Sequence, residues 1–421
     1  MREIRLKKSL DTICLLIENS IDMGCSFLRI KRAFKLRILY LVSRIIGPLL
    51  PIKHNLIFMW SYSGKNFSCN PAYFTRYLRN NHPGEYELVW LFDNAVTLPD
   101  DFHDIRTVQY ASWQHLLTIN KAEIIITNAR VENRWALWKK KRGQKYIMTY
   151  HASMGVKKVE LDANQQYASY IRMAKEDSDR CDLMLSGSGF WSNVMKRSFQ
   201  YQGEILEAGT PRNDFMFHPE LWNAVRDRLN DRYSIPKNAK LVLYAPTFRN
   251  DGGLNHYQID WPRVLCSLES RFGGEFCVLF RLHPNMLKNN KTAKPLVSNS
   301  FLSRDLTQYY DMQELLAVSD VLVTDYSSSM FDFALKEQPV FIYADDILTY
   351  NRGTYIELDK LPFPLSTTSE ELALSIDSFD ETTYKASLNH MMTNVVCTYE
   401  SGDACHELYH WIKKHTSSVL N

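Results

Sequence analysis

The sequence predicts an α/β protein, with two parallel, doubly wound sheets behind a basic amphipathic arm. Three observations carry this expectation. From residue 54 onward, short apolar runs rich in Ile, Val, Phe and Trp alternate with segments of helical spacing, as strands and crossover helices do in parallel sheets. The charged helical stretch 215–240 contains the break Ser-Ile-Pro-Lys-Asn at 234–238, after which a second series of runs begins. Residues 321–343, VLVTDYSSSMFDFALKEQPVFIY, spell out one complete βαβ unit. There the β-branched run 321–324 makes a buried parallel strand, 330–336 has helical spacing, and Pro339 opens a second strand at 339–343. Between them the polar turn 325–329 lies at the carboxyl end of a strand, where ligands bind in open α/β sheets. Its oxygens either cap the helix or, with the free N–H groups of the helix start, hold a phosphate. One cap needs one oxygen and this turn offers five candidates, which favours the phosphate. Ser328 and Ser329 precede Asp332 by four and three positions, so the three are expected on one helix face.

Length and composition narrow the class. A chain of 421 residues has room for two domains of ordinary size. Apolar residues at 45% and charged residues at 23% belong to a folded globular protein rather than a disordered one. A net charge of +3, with no basic motif interleaved with aromatics, argues against nucleic acid as a partner. Eight cysteines lie without a C-x-x-C pair and no secretory signal is evident; they read as reduced cytoplasmic thiols with no zinc site.

Positive charge gathers at the start. Residues 1–50 hold ten Lys/Arg against four Asp/Glu, a net of +6 that leaves −3 for the remainder. Within this region 27–52 mixes basic and large apolar residues at helical spacing, interrupted by Arg37, Arg44 and Gly47-Pro48. A bilayer-spanning helix needs about 20 mostly apolar residues, so this segment does not span. It fits a helix lying in the interface of an anionic leaflet, with Arg29, Lys31, Arg32, Lys35, Arg37 and Arg44 on the headgroups. The other reading is a helix packed on the body, its cations snorkelling outward.

The first sheet is expected from strands at 55–60, 86–92, 122–127, 145–150 and 182–185, with helices at 70–79, 112–119 and up to residue 197. Strand 145–150 delivers His151 into a loop of small residues, HASMGVKK. An imidazole there is either a general base suited to neutral pH or a sheet cap bonded to backbone. In LEAGTPRND, Gly209 and Pro211 turn the chain after a short strand and send Arg212 outward. It meets either phosphate oxygens, in bidentate fashion, or Asp214 across the turn. In the second sheet, strand 240–244 runs into Pro246 and Thr247, and strand 275–280 into Arg281, Leu282 and His283. If the sheet is parallel, these two strand ends and the serine turn converge on one cleft. A last helix at 403–414 can cross back to the first sheet.

Motifs in this order resemble those of the CDP-glycerol glycerophosphotransferase family, the teichoic-acid primases and polymerases. TDYSSSMFDFA is similar to the family's serine-rich signature, and YHASMGVKK stands where the family has WHGTPLK. Tyr150 replaces Trp, Ala152 and Ser153 replace Gly-Thr, and Met154, Gly155 and Val156 replace Pro-Leu, one residue more before Lys157. GTPRND, YAPTFR, RLHP and NRGTY resemble GYPRND, YAPTWR, RxHP and RGFY, and the resemblance spans about 55–400.

This resemblance implies a GT-B arrangement of two facing Rossmann-like domains, with boundaries expected at 1–52, 53–214 and 215–421. It implies attack of an acceptor hydroxyl on the β-phosphate of CDP-glycerol, or of CDP-ribitol, with release of CMP. By resemblance His151 is the base, and His283 with Arg281 stabilises the transferred phosphate and departing CMP. Ser153, Gly155, Arg212, Pro246, Thr247, Ser327 and Ser328 are expected around the donor diphosphate, and Asp332 on a donor hydroxyl. The implied acceptor is a polyprenyl-diphosphate-linked saccharide or polymer at the cytoplasmic face of the membrane. No acidic cluster of metal-ligand spacing is present, yet Asp325 and Asp332 suffice for one Mg²⁺ beside phosphate. A GT-B sugar-nucleotide transferase or epimerase, and a non-catalytic envelope scaffold, are the competing readings, because fold does not dictate chemistry.

Overall fold

A computed structural model describes residues 25–416, except 94–95, 97, 132–136, 164–166, 250–257 and 283–300, with side chains from residue 35. Strands β1 (Lys53–Trp60), β2 (Glu87–Phe92), β3 (Arg106–Gln109), β4 (Ala122–Thr127), β5 (Lys145–Met148), β6 (Leu183–Leu185) and β7 (Glu204–Leu206) build one sheet. Its order is β3-β2-β1-β4-β5-β6-β7 and every pair is parallel. Strands β8 (Lys240–Ala245), β9 (Phe276–Phe280), β10 (Ser303–Asp305), β11 (Val321–Thr324), β12 (Val340–Tyr343) and β13 (Leu365–Ser366) build a second, also all parallel, in the order β10-β9-β8-β11-β12-β13. Both sheets wind outward from their first strand, then jump back and continue on its other side. The reversal lies between β1 and β4 in one sheet and between β8 and β11 in the other. Crevices for ligands open beyond the carboxyl ends of strands at such points.

Period-two alternation explains the first sheet's layers. Leu56, Phe58 and Trp60 of β1 join Ile125, Tyr146, Met148 and Met184 on one face. Ile57 and Met59 join Ile124, Ile126, Ile147 and Leu183 on the other. Helices cover both faces, which is why these strands read as continuous apolar runs. Local chemistry sets the helix starts: Ser112, Ser188, Asp260, Thr368 and Asp380 each accept a hydrogen bond from the backbone N–H three residues on.

Several elements differ from expectation. The helix after the serine turn is only Ser329–Ala334, so its dipole is weak. The strand before His151 ends at Met148, and Tyr150 takes the left-handed conformation with φ 51°, which turns the histidine away from the strand line. Strand β3 and the helix Ala168–Arg180 carry too little apolar pattern to be read from sequence.

The arm forms a helix over Cys25–Ile46, and among the described residues no helix is long and apolar enough to cross a membrane. Its last turns pack on the first sheet's core through Leu39, with Leu36, Val42 and Ile46 beside it. The opposite side stays exposed, with Leu41 at 62%, Ile45 at 70% and Leu49 at 77% alongside Arg37 and Arg44. At the other end of the chain, Cys405, Leu408, Trp411 and Ile412 of the helix Ala404–His415 pack into the first sheet's second core layer. Asp214 fastens that helix by accepting from the N–H groups of Ala404 and Cys405.

Candidate active site

The two sheets meet through the loops at their strand carboxyl ends. Arg212, beyond β7, pairs with Asp332 in the short helix after β11 at 2.7 Å. Ser153, beyond β5, donates to the same carboxylate at 2.7 Å. Lys157 forms a bridge with Thr354, and the Lys158 N–H donates to the Gly353 carbonyl. The strand ends thus face one another across a cleft.

His151 sits in this cleft, half-buried, stacked on Tyr150 and beside Tyr62. Its Nδ1 lies 2.9 Å from the Asn128 carbonyl oxygen, at the end of β4. A carbonyl only accepts, so Nδ1 carries the proton and Nε2 keeps its lone pair. The Asn128 side chain also accepts from the Tyr62 N–H, so one residue at the switch point positions both rings. Burial pushes the His151 imidazole down to about 4, and the Arg212, Lys157 and Arg352 charges push the same way against the Asn128 hydrogen bond. At neutral pH the ring is therefore an uncharged base.

The second sheet's switch point is organised by Asp325. This buried carboxylate accepts from the Thr247 N–H at 2.9 Å and from the Tyr326 N–H at 2.6 Å, and pairs with Arg249 at 2.9 Å. Arg249 also grips Asp346 and lies over the Tyr326 ring, which stacks on Tyr350. Pro246 is buried at the end of β8 and hands over to half-buried Thr247. Ser327 and Ser328 are likewise half-buried at the turn; the Ser327 hydroxyl lies 2.8 Å from that of Ser329. Lys157 reaches this region from the first sheet. Burial lowers its ammonium to about 8, although Asp325 opposes the shift, and Arg352 and Arg249 add positive field. Lys157, Arg249 and Arg352 stand inside the motifs of the sequence, but spacing alone does not assign them to the site. Their signal was a cation beside each motif, but only the fold brings the three together.

Other expected site residues are placed differently. Arg212 is 5% exposed and points inward rather than outward: beyond Asp332, it donates to the His151 carbonyl at 2.6 Å. Burial acts to lower it, but Asp332, Cys69 and Tyr62 outweigh that and the guanidinium stays charged. Its partner is not Asp214, which caps the last helix. Asp332 is 2% exposed and engaged by Ser153, Asn213 and Arg212, so it supports Arg212. Ser153 is occupied by that contact, and Gly155 serves packing: a Cβ there would lie 2.4 Å from the Trp191 ring. Arg281 is half-buried, donates to the carbonyls of Thr307 and Leu282, and burial lowers its guanidinium from the usual range. His283 lies outside the described residues. Asp325 and Asp332 are each engaged by an arginine and by other donors, so neither carboxylate fits a magnesium ion. Among the described residues no group of three or more His, Cys, Asp or Glu is placed to hold a metal.

Known proteins share both sequence and architecture with this chain. It is 30% identical over 382 residues to a teichoic acid poly(glycerol phosphate) polymerase of Bacillus subtilis, and spans 87% of itself and 49% of that protein. It is 31% identical to the polymerase of the same description from Bacillus spizizenii, covering 95% of it, and 29% identical to a teichoic acid glycerol-phosphate transferase of Staphylococcus aureus, covering 94%. The fold matches the wall teichoic acid polymerase TagF, solved with CDPG, with a TM-score of 0.76 over 92% of this chain and 94% of that one at 24% identity. The GT-B arrangement expected from the motifs is therefore the observed one. Residues 44–414 match the family described as CDP-Glycerol:Poly(glycerophosphate) glycerophosphotransferase, and the chain belongs to that family.

Proposed function

We propose that the chain transfers glycerol phosphate, or a related alditol phosphate, from its CDP ester to a hydroxyl of a lipid-linked or polymeric acceptor. The observation that carries this is the neutral His151, its Nδ1 proton held by Asn128, with Lys157 on its own loop and Thr247 and the serine turn at the strand ends of the facing sheet. Nε2 of His151 takes the proton of the acceptor hydroxyl as its oxygen attacks the β-phosphate; the β-phosphate bond to the bridging oxygen breaks and CMP leaves. Lys157 and the Ser327 and Ser328 hydroxyls neutralise charge on the phosphate oxygens as it builds. Thr247, anchored through its own N–H, lines the same wall. His283 joins Arg281 at the leaving side on the strength of the RLHP motif. No metal enters this scheme.

The arm places the enzyme at the surface that bears its acceptor. Exposed Arg37 and Arg44 beside Leu41, Ile45 and Leu49 support peripheral attachment to an anionic, cytoplasmic-facing leaflet. Incubation with CDP-glycerol, CDP-ribitol or UDP-sugars and a lipid-linked saccharide acceptor tests the reading. CMP release, with an acceptor mass gain of one or more alditol phosphates, is expected. UDP release from a UDP-sugar instead would overturn it.

A further inference from the structure

Behind the cleft lies an acidic group, Glu400, whose hydrogen bonds lead to the base of the transfer scheme. Glu400 lies on the segment that returns from the second sheet toward the first, and its carboxyl turns inward onto the loop beyond β7. Oε2 accepts from the Thr210 N–H at 3.0 Å; Oε1 lies 2.8 Å from the Thr210 hydroxyl and 3.0 Å from the Asn213 amide nitrogen. Two glycines make the space. A Cβ at Gly187 would stand 2.4 Å from Oε1, and one at Gly209 2.8 Å from Oε2.

The contacts continue to the catalytic histidine. The Asn213 amide that donates to Glu400 also donates to Asp332 at 3.0 Å, and Gln313 holds its carbonyl oxygen at 2.6 Å. Asp332 holds Arg212, and Arg212 holds the His151 carbonyl. The Arg212 N–H is fixed in turn by Asn70, whose amide donates to the Thr149 and Tyr150 carbonyls just before the histidine. Glu400 thus closes one end of a buried hydrogen-bonded chain whose other end is the backbone of His151.

We propose that Glu400 is a positioning residue for the transfer reaction, setting the place of His151 through Thr210, Asn213, Asp332 and Arg212. The inference rests on His151 acting as the base. One amide group serves two carboxyls, an arrangement that tolerates a single negative charge. Of the charged groups around it, Glu400 meets Asp332 from the helix Ser329–Ala334 and, beyond it, Arg212. Burial and Asp332 push Glu400 up to about 8, against its hydrogen bonds to Thr210 and Asn213. In the neutral form its O–H donates to the Thr210 hydroxyl and all three contacts persist. Ionisation sets two carboxylates against each other across Asn213 and loosens the chain.

The test compares wild type, Glu400→Gln, Glu400→Ala and His151→Ala by CMP release from CDP-glycerol between pH 6 and 9.5, with folding followed by circular dichroism. Glutamine cannot ionise but offers one acceptor oxygen to the two N–H donors of Thr210 and Asn213, so Glu400→Gln is expected to lose severalfold in kcat at pH 7 and to decline less steeply than wild type above pH 8, keeping only the part of that limb that Lys157 contributes. Glu400→Ala is expected to lose at least tenfold in kcat, with KM for CDP-glycerol changed less. An unchanged alkaline limb in folded Glu400→Gln would overturn the inference. Full turnover in His151→Ala would overturn the assignment of the base and this inference with it. Loss in His151→Ala alone, with Glu400→Ala unaffected, would overturn this inference only.

Discussion

His151 shows how one side chain acquires its role from three neighbours. Asn128 chooses its tautomer, Arg212 holds its carbonyl, and burial keeps its ring neutral. Replacing it with alanine is expected to lower turnover by about 10²–10⁴-fold, the usual worth of general acid–base catalysis, with CDP-glycerol affinity little changed. The sign of its pH dependence follows from its depressed value. A base that titrates near 4 stays competent through the range in which a free histidine, near 6.5, would lose its lone pair. Measured kcat/KM should therefore show no acidic limb from this group between pH 7 and about 5; a limb centred near 6.5 that vanishes in His151→Ala would contradict the burial argument. The serine turn makes a separate prediction. Among the described residues, Ser328 makes no capping hydrogen bond with its side chain, and the Ser327 hydroxyl meets only Ser329. Ser327→Ala combined with Ser328→Ala should leave the unfolding transition in place and weaken CDP-glycerol binding. Each hydrogen bond to a charged oxygen is worth about 1.5–3 kcal/mol, so calorimetry should find Kd raised by about two orders of magnitude or more. An unchanged Kd would move the diphosphate elsewhere.

Among the elements, the arm helix carries one packed face and one exposed face. Leu36, Leu39, Val42 and Ile46 recur at helical spacing and pack on the core, so this part of the arm belongs to the fold. Arg37, Leu41, Arg44, Ile45 and Leu49 recur on the other side and stay in solvent. Removing everything before residue 53 would strip the first face as well and uncover the apolar surface beneath it, which makes that deletion a poor probe of membrane attachment. Leu41→Ser with Ile45→Ser and Leu49→Ser is the cleaner test. These side chains are mostly exposed, so thermal stability should barely move. Sedimentation with anionic vesicles should fall at least tenfold, and the wild type should be partly released by high salt, because the arginine contribution is screened. Equal sedimentation of the triple variant would leave the exposed stripe without a membrane role.

At the scale of the molecule, the two sheets are joined by polar contacts between loops and by Met154 and Val156, which reach from the loop beyond β5 into the second sheet's core. Arg212 with Asp332, Arg76 with Asp311 and Gln313 with Asn213 cross the junction. The first pair is almost fully enclosed, and a buried pair that loses one partner leaves an uncompensated charge. Asp332→Ala is therefore expected to destabilise the protein by about 3–5 kcal/mol in urea unfolding. It should also lower turnover, because the His151 carbonyl loses a firmly held donor. A change below about 1 kcal/mol would mean that water reaches Arg212.

The sequence by itself determined the α/β rhythm, the second series of strands and the polar strand ends, because β-branched runs and capping residues act locally. It also placed His151 and the serine turn at the carboxyl ends of parallel strands, where a ligand crevice follows from winding order. What it could not resolve was direction. Arg212 and Asp332 read as donor-binding groups, but each turned out to satisfy the other across 120 positions of chain, and no local pattern encodes such a pairing. Nor could spacing show that Arg249 pairs with Asp325 while Lys157 feels Asp325, Arg249 and Arg352, or that Glu400 reaches back to Thr210, since these residues lie on separate loops. Only the packing of one sheet's loops against the other's decided which charges were consumed inside the protein and which remained for the substrate.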